Sequence, residues 1–172
     1  MKIRRIGIIA IIIFGAIPVY SPVAQESKKS GDITWHKYDE GLKLASKGDK
    51  LLLIDFYTDW CGYCKKMDKM TYTDPAVAEY IRKHFIAVKV NAESRVPFTL
   101  PSGTIDGRGL ARSFGVTGYP STWFLQSNGA KINNMPGYAP PERFIHILRY
   151  IGDGHYKSQT FKDYYARISN GN

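Results

Sequence analysis

The chain has 172 residues, 44% of them hydrophobic, with 24 Lys and Arg against 15 Asp and Glu for a net charge of +9. That is enough material for one domain with a full core. The basic residues are spread along the chain with no nucleic-acid motif among them, so the charge reads as a solvated surface, attractive to acidic partners or anionic headgroups, and excludes a nucleic-acid footprint.

Lys2, Arg4 and Arg5 precede an apolar stretch from Ile6 to Ile17 that Pro18 ends, the pattern of an export signal. Ala24 is the expected cleavage point, although Pro22 stands where a small residue is preferred. No cysteine follows the stretch, which excludes lipoprotein anchoring. A retained membrane anchor is the alternative, but a full span needs about 20 apolar residues and this run is shorter. The expected division is a signal over residues 1–24, a domain over 25–154 and a helical extension over 155–172. Removing the signal leaves 148 residues and a net charge of +6, because it holds three basic residues and no acidic one. Cleaved or retained, the segment exports the domain to a periplasmic, oxidising compartment, where a dithiol used in reduced form needs a reductant partner.

Tyr38, Leu42 and Ala45 have helical spacing, with Gly48 suited to the helix end. Leu51 to Tyr57 is an apolar run broken by one carboxylate, Asp55, and reads as a strand covered on both faces. A lone carboxylate there should have its pKa raised by desolvation. A helix carrying Cys61 and Cys64 follows, running to about Met70. Asp74 caps a helix whose first residue is Pro75, with Val77, Ile81 and His84 on one face. Phe85 to Val90 is a second β-rich run. Ser94 to Arg108 is an excursion rich in Pro, Gly and Ser, either a partner-contact loop or an inert insertion. Ser121 to Gln126 and Ala130 to Asn134 flank the hairpin signal Ser127-Asn128-Gly129. Phe144, Ile145, Leu148 and Ile151 line the buried face of a helix that begins after Pro140-Pro141. In the tail, Phe161, Tyr164, Tyr165 and Ile168 have helical spacing, with Thr160 and Asp163 placed like a capping box. That helix either packs back onto the domain or meets a partner. The order of elements suggests a mixed sheet with helices on both faces. No internal repeat is found.

The chemistry is concentrated in Trp60-Cys61-Gly62-Tyr63-Cys64. A disulfide between cysteines three apart closes a very short loop, so it is a poor structural staple and a good site for exchange. At a helix start, the Cys61 sulfur faces unsatisfied N–H groups and the positive end of the helix dipole, both of which favour thiolate. Cys64, one turn further in, is expected to be more buried. Cys61 is therefore the expected nucleophile and Cys64 the resolving thiol. A zinc site would need two more ligands, and His36, His84, His146 and His155 form no closely spaced pair.

Asp55 to Lys65 resembles the active-site segment of thioredoxins, Gly118-Tyr119-Pro120-Ser121-Thr122 the loop with that family's cis-proline, and Lys89 the lysine ending its second central strand. The three motifs occur in the family's order between about Ile33 and Ile151. Thr71 to Asn91 looks closer to secreted thioredoxin-related proteins and to the C-terminal domain of the transmembrane reductase DsbD. The resemblance implies an α/β thioredoxin fold, a central mixed sheet flanked by helices, with an additional C-terminal helix. It implies a thiol–disulfide oxidoreductase in which Asp55 acts through water as base for the buried cysteine and Lys89 modulates it; a structural Asp55 tied to nearby groups is the alternative. It assigns substrate contact to Trp60, Gly62, Tyr63, Tyr119 and a cis Pro120. Tyr119 departs from the small or β-branched residue usual there, which bears on partner choice. Protein disulfides or dithiols are the implied partners, with a membrane-linked reductant, for a monomer that uses no cofactor or metal. Membrane contact is expected only through the N-terminal segment. Gly62-Tyr63 resembles the dipeptide of periplasmic disulfide isomerases, so isomerase, oxidase and accessory binding roles stand as alternatives to the reductase.

Overall fold

A computed structural model describes residues 32–170. The proposed signal segment and its cleavage point lie outside them. Among the described residues, no helix is long and apolar enough to cross a membrane.

Five strands form the central sheet: β1 (Trp35–His36), β2 (Leu51–Tyr57), β3 (Phe85–Asn91), β6 (Ser121–Leu125) and β7 (Lys131–Pro136), in the order β1-β3-β2-β6-β7. The pairs β1–β3 and β2–β3 are parallel, while β2–β6 and β6–β7 are antiparallel, which gives a mixed sheet. Parallel neighbours require crossovers, and helices supply them: α1 (Tyr38–Ala45) follows β1, and α3 (Pro75–His84) joins the cysteine region to β3. Asp74 caps α3 by accepting from the amides of Ala76 and Val77 at 3.0 Å each, and Pro75 at the first helical position forgoes only an N–H that would be unpaired there.

Strand β2 is central because its side chains feed two cores. Leu52, Ile54 and Phe56 join one cluster with Val88, Val90, Leu110 and Phe114. Leu53, on the opposite face, joins the other with Met67, Val77, Ile81, Phe144 and Leu148. Leu52, Leu53, Ile54 and Phe56 are fully buried, and each such side chain contributes about 1.5–3 kcal/mol of burial. Strand alternation puts Asp55 on the Leu53 face. In register, it stands opposite Lys89 on β3 and Thr122 on β6.

Several elements differ from the sequence expectation. The cysteine helix does not run unbroken to Met70: α2 (Gly62–Lys66) passes into a π-helical turn, Met67–Thr71. The Ser94–Arg108 excursion is folded rather than loop, as an antiparallel hairpin of β4 (Pro97–Leu100) and β5 (Gly103–Asp106), followed by α4 (Gly107–Ser113). Gly48 does not close α1 in a left-handed conformation; the helix ends at Ala45, and the chain turns without positive φ until Gly103. In α5 (Pro141–Gly152), Ile145 is only half-buried, and Ile147 and Tyr150 join Phe144, Leu148 and Ile151 in the core. The tail forms α6 (Phe161–Ser169), with the Thr160 hydroxyl accepting from the Asp163 amide. It packs back onto the domain through Phe161, Tyr164 and Ile168.

Candidate active site

The end of β2 delivers the chain to the start of α2, so the dithiol sits at the C-terminal edge of the parallel strands. Cys61 and Cys64 are joined in a disulfide, with Cα atoms 5.3 Å apart. Cys61 occupies the N-cap, and its sulfur accepts from the Cys64 amide at 3.0 Å. An amide dipole and a helix start thus both point at this sulfur. The expectation that Cys64 is the more buried is met only marginally in this oxidised form: Cys61 is 5% exposed and Cys64 3%.

Around the disulfide, the aromatic side chains predicted to meet substrate form a rim. Trp60 and Tyr63 are exposed at 67% and 63%, unusual for such large apolar surfaces. The Trp60 ring meets Tyr119 edge-on at 6.1 Å, and Tyr119 leads into a cis bond to the buried Pro120. On the other flank, Tyr63 lies 6.1 Å from Tyr138, over whose ring the Lys66 ammonium sits at 4.6 Å. Gly62, exposed between the cysteines, has open space where a side chain would project. The structure thus gathers Trp60, Gly62, Tyr63, Tyr119 and Pro120 near the dithiol; Tyr138 and Lys66 were not singled out from sequence.

A polar cluster surrounds Asp55 in the interior. Burial pushes the Asp55 carboxyl up to about 7; the Lys89 ammonium, 3.8 Å from Oδ2, opposes this, and Asp68 adds to the rise. Lys89 bridges Asp55 and Asp68, hydrogen-bonding the latter, and lies against the rings of Trp35, Tyr57 and Tyr72. Among the described residues, Asp55 Oδ1 and the hydroxyls of Thr58, Tyr72 and Thr122 are buried without a hydrogen bond of ordinary geometry. Tyr72 approaches both the Asp55 carboxyl and the Thr122 hydroxyl closely enough for weak side-chain hydrogen bonding, and burial, with the Asp55 charge adding, raises the pKa of its phenol well above the ordinary value. A buried carboxyl whose pKa is raised by desolvation marks a functional-site candidate. The sequence pointed to Asp55 and Lys89 but not to Asp68 or Tyr72. Asp68 stands four residues after Cys64, a helical spacing that could have drawn notice.

Three of the four histidines pack on other aromatic rings: His84, half-buried, stacks on Tyr80 at 4.2 Å, and His146 and His155 contact Tyr165 and Tyr164.

Residues 38–152 match the thioredoxin-like domain family. The chain belongs to that family. Among curated relatives, DsbD of Ralstonia nicotianae, a thiol:disulfide interchange protein, is 30% identical over 115 residues, which cover 64% of this chain and 17% of that one. The chain therefore spans about a sixth of the relatives it matches. A thioredoxin-fold protein from Helicobacter pylori superposes with a TM-score of 0.61 at 26% identity, covering 71% of this chain and 86% of the other. Thioredoxin from Thermus thermophilus gives 0.58 at 25% identity, covering 70% and 87%. The bridged Cys61 and Cys64 lie within that thioredoxin-like domain.

Proposed function

We propose that the chain is an exported oxidoreductase that reduces protein disulfides through Cys61 and Cys64. The observation that carries this reading is a short-loop disulfide at a helix start, paired with a buried carboxyl poised near neutrality. In the reduced chain, the Cys61 thiolate attacks one sulfur of a partner disulfide. The partner's S–S bond breaks, its second sulfur leaves as a thiolate, and Cys61 is left in a mixed disulfide. Cys64 then gives its proton, through water, to Asp55 and attacks the Cys61 sulfur. The intramolecular bond re-forms, and the partner's remaining sulfur leaves. Two electrons have passed from the dithiol to the partner, whose sulfurs end as thiols. A group with a pKa near 7 is suited to taking and returning that proton at neutral pH.

Trp60, Gly62, Tyr63, Tyr119 and Pro120 form the surface that holds the partner, and Lys89 tunes Asp55. The basic and apolar N-terminal pattern and the DsbD relatives support a periplasmic location and a membrane-linked reductant. The domain works as a monomer without cofactor or metal.

The reading is tested by titrating the Cys61–Cys64 pair in glutathione buffers, alongside insulin reduction. A reduction potential near about −270 mV, with insulin turnover abolished by Cys61→Ser and mixed disulfides accumulating in Cys64→Ser, is expected. A potential between about −180 and −120 mV would place the chain with isomerases or oxidases instead. No insulin turnover by the unaltered chain and no mixed disulfide in Cys64→Ser, with partner capture intact in Cys61→Ser, would leave only an accessory binding role.

A further inference from the structure

Beside Tyr119, a cleft of about 300 Å³ opens between the end of β3 and α4. Glu93, Arg108, Arg112, Val116 and Tyr119 line it. Arg108 and Arg112 are one helical turn apart on α4 and both exposed, so they share a face. Among the described residues, Lys89 is the only basic side chain in an ion pair; neither arginine is neutralised by a carboxylate.

The cleft is fixed to the dithiol rim. Gly107, at the start of α4, lies so close to β3 that a Cβ there would fall well under 3.0 Å from the Asn91 carbonyl oxygen. The Asn91 side chain in turn donates to Asp59 at 3.0 Å, two residues before Cys61. The Arg108 amide reaches the Ser94 carbonyl at 3.4 Å, and Asp106 caps the helix through the Gly109 amide at 2.7 Å. Phe98 of the hairpin and Leu110 of α4 anchor the excursion in the core. The excursion and α4 are therefore tied to β3, and together they present the exposed Arg108 and Arg112 guanidinium groups beside Tyr119.

We propose that this cleft is a subsite for an acidic side chain of the partner polypeptide, close in sequence to the attacked cysteine. The inference rests on the oxidoreductase reading above and names its partner preference. Charge complementarity argues for it: two unpaired arginines outweigh Glu93, the one carboxylate among the lining residues, and the exposed Lys65 and Lys66 that follow Cys64 add positive charge next to the dithiol. Guanidinium groups suit carboxylates because their planar donors can bind both oxygens.

The test uses the reduced full chain and three peptide disulfides that differ only in carrying Glu, Gln or Lys beside the cysteine. Single-turnover oxidation is followed by Trp60 fluorescence at low and high salt. The Glu peptide should react roughly threefold to tenfold faster than the Gln peptide at low salt, the range expected for two exposed ion pairs, and the preference should shrink as salt screens it. In R108Q/R112Q the ratio of the two rates should fall to about one, while in E93Q it should rise. Equal rates for all three peptides in the unaltered chain, or a preference that survives R108Q/R112Q, overturns the subsite and leaves the oxidoreductase reading standing. If the unaltered chain reacts with no peptide and does not reduce insulin, the oxidoreductase reading fails and the subsite with it.

Discussion

Replacing Asp55 by Asn removes the one buried carboxyl, among the described residues, whose ionisation the fold opposes. Its folded-state pKa, about 7, lies above the ordinary value of 3.8. Between those values the folded chain holds a proton that the unfolded chain has released, so stability falls as pH rises. This contribution is fully present below pH 3.8, declines through the window and is flat above about 7. The gap corresponds to about 4 kcal/mol, at about 1.4 kcal/mol per tenfold change in proton affinity. About 2 to 3 kcal/mol of it should appear between pH 5 and pH 8. The assay is urea unfolding of the oxidised chain and of D55N at several pH values, with the disulfide intact so that no thiol titrates. The difference between the two stabilities should grow with pH, with D55N the more stable at pH 8. Parallel pH profiles would refute the reasoning, because they would mean that Asp55 ionises as readily in the folded chain as in water.

Two further substitutions test the frame around the site. Gly107→Ala forces a methyl group into the Asn91 carbonyl, and the overpacking should cost about 1–3 kcal/mol in urea unfolding; an unchanged midpoint would show that α4 is not held against β3. Asp74→Ala removes the acceptor of two α3 amides and should cost about 1 kcal/mol, with a wild-type midpoint showing that solvent caps the helix equally well.

Legibility in the sequence followed the range of the interactions. Asp74-Pro75 announced α3 because capping is local, and the Asn128-Gly129 turn announced the β6–β7 hairpin, with Gly129 at φ 86°. Asp55 was conspicuous because one carboxylate interrupts an apolar strand. Its partners Asp68 and Tyr72 were not, since a π-helical turn carries them to the cluster and no local rule marks that turn. The Ser94–Arg108 hairpin was hidden by its prolines, Pro97 and Pro101, which read as loop. Its alternation of Phe98 and Leu100 spans too few residues to outweigh them. Strand β1, at two residues, falls below any periodic signal. Ile147 and Tyr150 were missed because a single buried stripe was assumed for α5, whereas α6 covers part of a second: Tyr150 meets Phe161 at 5.4 Å and Tyr164 at 5.5 Å.

That last packing has a practical side. The family match stops at Gly152, but Tyr164 is 4% exposed and the Tyr150 hydroxyl donates to the Gln159 carbonyl at 2.7 Å. A protein cut at the family boundary would uncover a sticky aromatic face along α5, inviting association between copies that the intact tail shields. The unit to express, crystallise or graft onto another protein is therefore set by where aromatic rings come to rest, and it runs through α6.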